Sequence, residues 1–479
     1  MNKIKLFYHP IFWIFVYLCV HLVVRLSLSQ TLQVDDREQV FFAQNLLLGY
    51  PMPQPPLYSW LSWSMFQIFG IGLLALTLLK YALIAATFWL TWLVSGQLFQ
   101  HLQTRYIATF SYLLMPSFAW HMHQGFTHTI LLGFGIILSL HAVLSLKNNP
   151  NIKNYLYLGL ALGIGLMGKY SFLLFMIPIL IAALTIDSYR SLMLNKRFLL
   201  TLGIFLLIIT PHTYWLTEHY QEIFSMADQR LQVSGDNLIL DRLKSVGKFF
   251  GSAIAFVTPF ALLFLISNWR QLFNQDKQLV KQDNSLLSRF YWIIVISVLV
   301  LAIFISMPHF KVRWFHPLMM LFPLWMLLRI ERKTLLSPKV TKWFYSFVIL
   351  LTILVLSVRI MQMTIGPELG KYGRLNKPII ETLNKLPDEL TNNAIIRTDD
   401  YFLGPHLLLK YPNHIIINSK SFNGLSLSDS NKCLWLWDDD ENHSKPKTQK
   451  TLKTGKLETH VAEFKYTLFY SLSPAQECR

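Results

Sequence analysis

Apolar residues in this chain come in blocks of roughly 16 to 25, the length a helix needs to cross ~30 Å of hydrocarbon, separated by polar connectors. The pattern predicts spans over about 11–29, 72–96, 107–121, 129–146, 198–211, 246–268, 290–306, 315–329 and 343–362. One further apolar stretch, 155–186, lies between the connectors KNNPNIK (Lys147, Lys153) and SYRSLMLNKR (Arg190, Lys196, Arg197). Both connectors are basic and belong on the same side of the membrane, so the stretch has to go out and return. Its ~32 residues are too few for two perpendicular crossings at 1.5 Å per residue. Two short helices meeting near Gly165-Leu166-Met167-Gly168-Lys169 are expected, a break tolerated where it lines a protein cavity. The total is about eleven transmembrane helices, and the other basic connectors (QHLQTRY, RIERKTLLSPKVTK) then fall on the same side.

Composition agrees. Of 479 residues, 53% are hydrophobic and 14% charged, too apolar for a water-soluble chain of this length and too poorly charged for a disordered one. The net charge is +17, yet residues 363–479 hold 15 Lys/Arg against 14 Asp/Glu, so the surplus lies in the membrane part. No basic stripe or base-stacking module accompanies it, which argues against nucleic acid as a partner. The basic start MNKIKLFYHP stays in the cytoplasm, and the first block reads as an uncleaved span: it is long, contains Arg25 and lacks a small-residue cleavage site.

Two parts are therefore expected: a transmembrane part over 1–362, with a first external loop at 30–70 carrying interfacial helices, and a soluble extracytoplasmic α/β part over 363–479. In the latter NAIIRTD, HIIINS, KCLWLWD and VAEFKYTLFYSL read as strands, TDDYFLGPHLLLKYP as a helix and DDDENHSKPKTQK as a solvated loop. It shows no catalytic constellation and reads as an accessory, receptor-like or substrate-gating element. Cys433 and Cys478 can pair there if it is extracytoplasmic; two free thiols are the alternative.

The first external loop, LQVDDREQVFFAQNLLLGYPMPQPPLYSWLSW, holds most of the candidate chemistry. Asp35, Asp36 and Glu38 cluster directly after span 1, and helical spacing from Glu38 to Leu48 puts the Asp pair at a helix N-terminus. A plain helix cap explains that placement; so does a general base at the membrane boundary. GYPMPQPPLYSW then reads as a Pro-fixed turn into an aromatic interfacial helix.

Asp35-Asp36-Arg37-Glu38-Gln39, then Ala43-Gln44 and GYPMPQPPLYSW, resemble the first-loop signature of glycosyltransferase family 39, the bacterial group similar to lipid A aminoarabinose transferases and protein O-mannosyltransferases. FTHTILLGF, GLMGKYSFLLF, PHTYW and KVRWFHPL resemble further family segments in the same order. The resemblance implies a GT-C fold and an enzyme of the bacterial inner membrane, amino terminus cytoplasmic and carboxyl terminus periplasmic. Such enzymes move a sugar, hexosyl or pentosyl, from a polyprenyl-phosphate (undecaprenyl phosphate) carrier to an acceptor at the periplasmic face. The acceptor would be a glycolipid, lipid A or lipopolysaccharide core, or else a protein. Asp35 matches the family's leading Asp, the base for an inverting attack, with Asp36 standing where Glu is commoner. Gln54 takes the place of a Lys in the aminoarabinose transferases, and His128 that of an Asp opening span 4.

Such a reaction needs one base and cations for the departing phosphate. Lys169 with Tyr170 at the helix break, and Lys311 and Arg313 beside span 10, are the candidates, Arg313 being best suited to grip phosphate through paired donors. Snorkelling to the interface is the ordinary use of such cations, and internal pairing or snorkelling that of Lys80 in span 2. His121, His123, His128, His212, His219, His309 and His316 fall near external span ends. A divalent cation could sit among some of them with the Asp pair, His212 being the candidate metal ligand, although no tight ligand spacing is present. A transporter or flippase of lipid-linked sugars is the competing class, against which stand the odd span count, the lack of a visible inverted repeat and the large first loop. A structural subunit of an envelope complex is the third.

Overall fold

A computed structural model describes residues 9–231, 238–273, 285–304, 312–331, 336–366, 375–400, 402–412, 414, 416–417, 432–438, 451–461 and 464–478. Among these, six helices are long and apolar enough to cross a membrane: Pro10–Leu28, Leu73–Leu98, Thr127–Asn148, Phe198–Gln221, Val246–Ser267 and Pro338–Thr364. This is a multi-pass membrane protein.

The expected eleven crossings do not appear as eleven continuous helices. The 107–121 span is broken into Leu102–Phe110, a 3-10 turn Ser111–Leu114 and Pro116–Ala119, because Met115 before the proline is extended (φ −99°, ψ 107°). The 315–329 span divides likewise into Val312–Phe315, His316–Met319 and Phe322–Glu331, with Pro317 and Pro323 at the new starts. The loop expected after 211 is helical as far as Leu231, since Phe198–Leu231 runs on through Pro211 and residues 212–231 contain no Gly or Pro to stop it. Leu238–Phe273 likewise begins earlier and ends later than the expected 246–268.

The break inside 155–186 is where charge and length place it. Ile152–Gly168 ends at an extended Lys169 (φ −165°, ψ 134°), a 3-10 turn spans Tyr170–Phe172, and Leu173–Leu184 resumes. The turn folds Phe172 against Gly165, where any β-carbon would strike the ring. A β-carbon at Gly135 would lie 2.6 Å from the Cα of Gly165, so these two glycines set the close crossing of Thr127–Asn148 over Ile152–Gly168. After Leu184 the chain turns by 110° into the short helix Asp187–Met193.

The chain divides into two compact units. The first comprises Met1–Cys19, Leu47–Tyr58 and Lys80–Val355, and the second Val20–Leu46, Ser59–Leu79 and Leu356–Arg479. The second unit thus does not begin at residue 363: it takes in most of the first loop. Its sheet has the order β2-β1-β3-β5-β4, with β1 (Ala394–Arg397) parallel to β2 (Ile416–Ile417) and β3 (Lys432–Asp438). β5 (Phe464–Pro474) runs antiparallel to β3 and to β4 (Lys453–Val461). The expected helix forms over Leu403–Lys410. The sequence VAEFKYTLFYSL, expected as one strand, instead begins at the end of β4 and continues as β5; β4 itself was not foreseen. Leu434 and Leu436 of β3 face a core built with Leu383, Leu407 and Leu468, and Leu32, Val40 and Phe66 of the first loop and Leu76 at the start of Leu73–Leu98 bury in the same core. On the opposite face Cys433 and Cys478 form a disulfide.

Candidate functional site

The acidic segment folds as a nine-residue helix, Val34–Phe42, beginning four residues before the expected Glu38. Gln33 is its N-cap, in extended conformation (φ −83°, ψ 173°), and Asp36 occupies the third helical position. There the Asp36 Oδ2 accepts the Gln33 N–H at 3.3 Å, and the side chain is only 2% exposed. Asp36 therefore caps the helix. Asp35 lies one residue earlier, half-buried in the first turn, where aligned peptide dipoles favour an anion.

Contacts within the second unit hold this helix. Arg37 donates to the Gln33 carbonyl at 3.4 Å, and its guanidinium lies 4.0 Å from the ring centre of Phe402. Gln39 and Ser59, both fully buried, share a 2.8 Å bond from hydroxyl to amide oxygen. Just upstream, Arg25 donates to the carbonyls of Ser29 (2.5 Å) and Thr31 (2.7 Å). The Ser29 and Thr31 hydroxyls donate to the Leu375 and Lys377 carbonyls at 2.7 and 3.1 Å. The Leu32 N–H donates to Nε2 of His406 at 3.0 Å. His406, fully buried, bonds the Phe402 carbonyl through Nδ1 at 2.7 Å. A carbonyl only accepts, so Nδ1 carries the proton and Nε2 the lone pair. Burial first, then the charges of Arg37, Lys377 and Arg25, lower the His406 pKa to about 4, against the opposing pull of the Phe402 bond. None of these partners was legible as functional in the sequence, because they lie far along the chain from the loop they hold.

Of the expected cation and histidine candidates, Lys169, Tyr170, His128 and His212 come together at the helix break of the first unit. Lys169 donates to the Thr129 hydroxyl at 2.8 Å, and the preceding residue of that helix, His128, donates through Nδ1 to the Gly168 carbonyl at 3.2 Å. The Tyr170 hydroxyl bonds Nε2 of His212 at 2.7 Å, while Nδ1 of His212 bonds the Leu48 carbonyl at 3.0 Å. The second bond puts the proton on Nδ1, so Nε2 accepts from the tyrosine and no lone pair remains for a metal. His212 thus reads as a clamp on the 48–54 turn rather than the expected ligand. Trp215 stacks on His212 and His219 (ring centres 5.7 and 4.2 Å apart) and lies flat against Gly49, leaving no room for a β-carbon there. Gln54 ends this turn, partly exposed, its N–H bonded to the Met52 carbonyl at 2.8 Å. Lys80 points inward and donates to the Gln124 carbonyl at 2.9 Å, and His123 bridges Tyr17 (2.6 Å) and Tyr81 (3.0 Å). Among the described residues no three His, Cys, Asp or Glu side chains come together as a metal site. Lys311 and His309 lie outside the described residues, and of Arg313 only the backbone is described, on the Val312–Phe315 turn.

Residues 53–215 match the family model described as dolichyl-phosphate-mannose-protein mannosyltransferase. Two proteins of Rhizobium johnstonii are similar along most of their length. The lipopolysaccharide core galacturonosyltransferase RgtB is 29% identical over 401 residues, covering 82% of this chain and 80% of its own. The lipopolysaccharide core galacturonosyltransferase RgtA is 24% identical, with coverage of 83% and 79%. In fold the chain resembles ArnT from Cupriavidus metallidurans bound to undecaprenyl phosphate, with a TM-score of 0.55 and 14% identity over 95% of this chain and 98% of that one. The chain is thus similar in sequence to two glycosyltransferases and shares its fold with a third protein, ArnT.

Proposed function

We propose that the chain is a polyprenyl-phosphate-dependent glycosyltransferase that moves a hexuronic acid onto the lipopolysaccharide core at the periplasmic face of the inner membrane. The observation that carries this reading is the likeness to two core galacturonosyltransferases over about four fifths of both chains. The disulfide between Cys433 and Cys478 supports an oxidising compartment for the carboxyl-terminal residues, and the basic connectors support a cytoplasmic amino terminus. The likeness in fold to a structure holding undecaprenyl phosphate supports a carrier of that class.

In this reading Asp35 takes the proton from the acceptor hydroxyl as that oxygen attacks the anomeric carbon. The bond to the carrier phosphate breaks from the opposite side, the configuration inverts, and the phosphate leaves as an anion that cations stabilise. Lys169 and Arg313 are the proposed phosphate contacts, with Gln54, Tyr170, His128 and Lys311 as secondary ones, and Asp36 keeps its capping duty beside the base. No metal is needed for this scheme, because a glycosyl phosphate already carries a good leaving group. A flippase would share the cationic contacts but has no use for a base.

Mass spectrometry of core glycolipids from cells with and without the protein tests the activity: a hexuronic acid present only with the protein is expected, and identical glycolipids exclude the reading. Arg313→Ala should raise the carrier-lipid concentration needed for half-maximal transfer by roughly 10- to 100-fold, the scale of one charge-assisted phosphate bond of about 1.5–3 kcal/mol. Unchanged donor dependence would remove Arg313 from the site.

A further inference from the structure

We propose that His406 is a positioning residue for the acidic loop: as a neutral imidazole it accepts the Leu32 N–H and so fixes the start of the helix that carries Asp35, and protonation of its ring releases that start. The assignment of Asp35 as base rests on the proposed function; the latch itself does not.

Leu32 is fully buried, three residues before Asp35, and its amide needs an acceptor because an orphaned buried N–H costs about as much as a lost hydrogen bond. The acceptor is a side chain 374 residues away in sequence. The Phe402 carbonyl holds the other ring nitrogen, so the tautomer is fixed and the lone pair at Nε2 points at the loop. Adding a proton there sets one N–H against another. The charged groups around the ring discourage it as well: Arg37 on the Val34–Phe42 helix, Arg25 at the end of span 1, and Lys377 on the segment before Ile379–Leu383. Lys377 has a carboxylate nearby, Asp438 at 3.7 Å, and its ammonium also lies 4.8 Å from the Phe402 ring centre. Asp36 is engaged with the helix cap.

With the imidazole held at about 4, the latch is closed at neutral pH and opens as pH falls through that value. An unfolded chain's imidazole takes its proton near 6.5, so the unfolded state binds more protons between the two values. Stability of the unit therefore falls as pH drops across that window.

The test compares the full chain in detergent or nanodiscs with His406→Gln and His406→Leu. Glutamine offers an acceptor oxygen and an amide donor without titrating; leucine offers neither. Amide exchange of the 29–42 segment, corrected for intrinsic rates, should lose protection in the wild type as pH is lowered towards 4. It should stay protected in His406→Gln and be poorly protected at every pH in His406→Leu. The transfer rate at saturating donor should fall ~10- to 100-fold in His406→Leu, the scale of a reacting group displaced by about an ångström, with the KM for carrier lipid near wild type. His406→Gln should restore it. Equal protection of the segment in all three proteins, or an acid-induced loss that persists in His406→Gln, overturns the latch. If His406→Leu does not fold, the glutamine comparison decides alone. Absence of transfer in the wild type, with the exchange pattern as described, sinks the proposed function and leaves the latch standing.

Discussion

Asp35→Asn should abolish sugar transfer, while the protein should stay folded and still take up its carrier lipid. Asparagine has nearly the shape of aspartate but cannot take a proton, and a positioned general base contributes typically ~10²–10⁴-fold to rate. The residue is half-buried in the first turn of its helix and its neighbour performs the capping, so the fold depends little on its charge. Losing one anion near a helix N-terminus costs about 0.3–1 kcal/mol. Asp36→Ala supplies the contrast: it removes the acceptor for the Gln33 N–H and should lower stability by ~1 kcal/mol. Transfer measured by mass spectrometry of the acceptor glycolipid, beside a thermal melt of each variant, separates chemistry from scaffold. Normal transfer by Asp35→Asn would dismiss the base and with it the inverting scheme.

That two adjacent aspartates divide in this way follows from the helix boundary, which the sequence leaves open. The periodic pattern starts convincingly at Glu38, but the helix begins at Val34 because Gln33 and Asp36 bond each other across its first turn. What could be read in advance was local. A block such as Pro10–Leu28 is helical in lipid because its backbone has nowhere else to bond, whatever surrounds it. The break at Lys169 was legible for a similar reason: basic connectors fix the side, and the length between them forbids two full crossings. Interruptions at Pro116, Pro317 and Pro323 depended on whether neighbouring segments would tolerate a kink, and the apolar pattern runs straight through them.

Non-local order was invisible. Leu32 and Val40 look like any loop hydrophobics, yet they bury in a core with Leu407, Leu434 and Leu468. Nothing local marks His406 as the partner of an amide near residue 30. β4 escaped because it is an edge strand: Lys453, Lys456 and His460 are exposed, and Thr459 is the buried position, so its alternation carries little apolar signal. The consequence reaches function. A carboxyl-terminal segment that resembles an accessory by sequence supplies the core on which the acidic helix rests.

Cys433→Ser should therefore reduce both stability and transfer, although neither cysteine touches the helix that carries Asp35. The disulfide ties the start of β3 to the 3-10 turn after β5 across 45 residues of chain. Loop-closure entropy for that separation corresponds to about 4 kcal/mol, within the 2–5 kcal/mol commonly lost when a native disulfide is removed. Cys433 alternates along β3 with Leu434 and Leu436, which face the shared core, so freeing the strand end loosens the surface against which Leu32 and Val40 pack. In the full chain the variant should melt well below the wild type, lose protection against protease in the second unit, and lose transfer steeply as temperature rises. Added reductant should bring the wild type to the same state. The thiols also report on compartment: in intact cells both cysteines should resist alkylation until reduced, because disulfides persist only where the surroundings are oxidising. Ready alkylation without reductant, together with an unchanged melt for Cys433→Ser, would put the carboxyl-terminal residues in the cytoplasm. The orientation of every span would then invert, and with it the membrane face at which Asp35 could act.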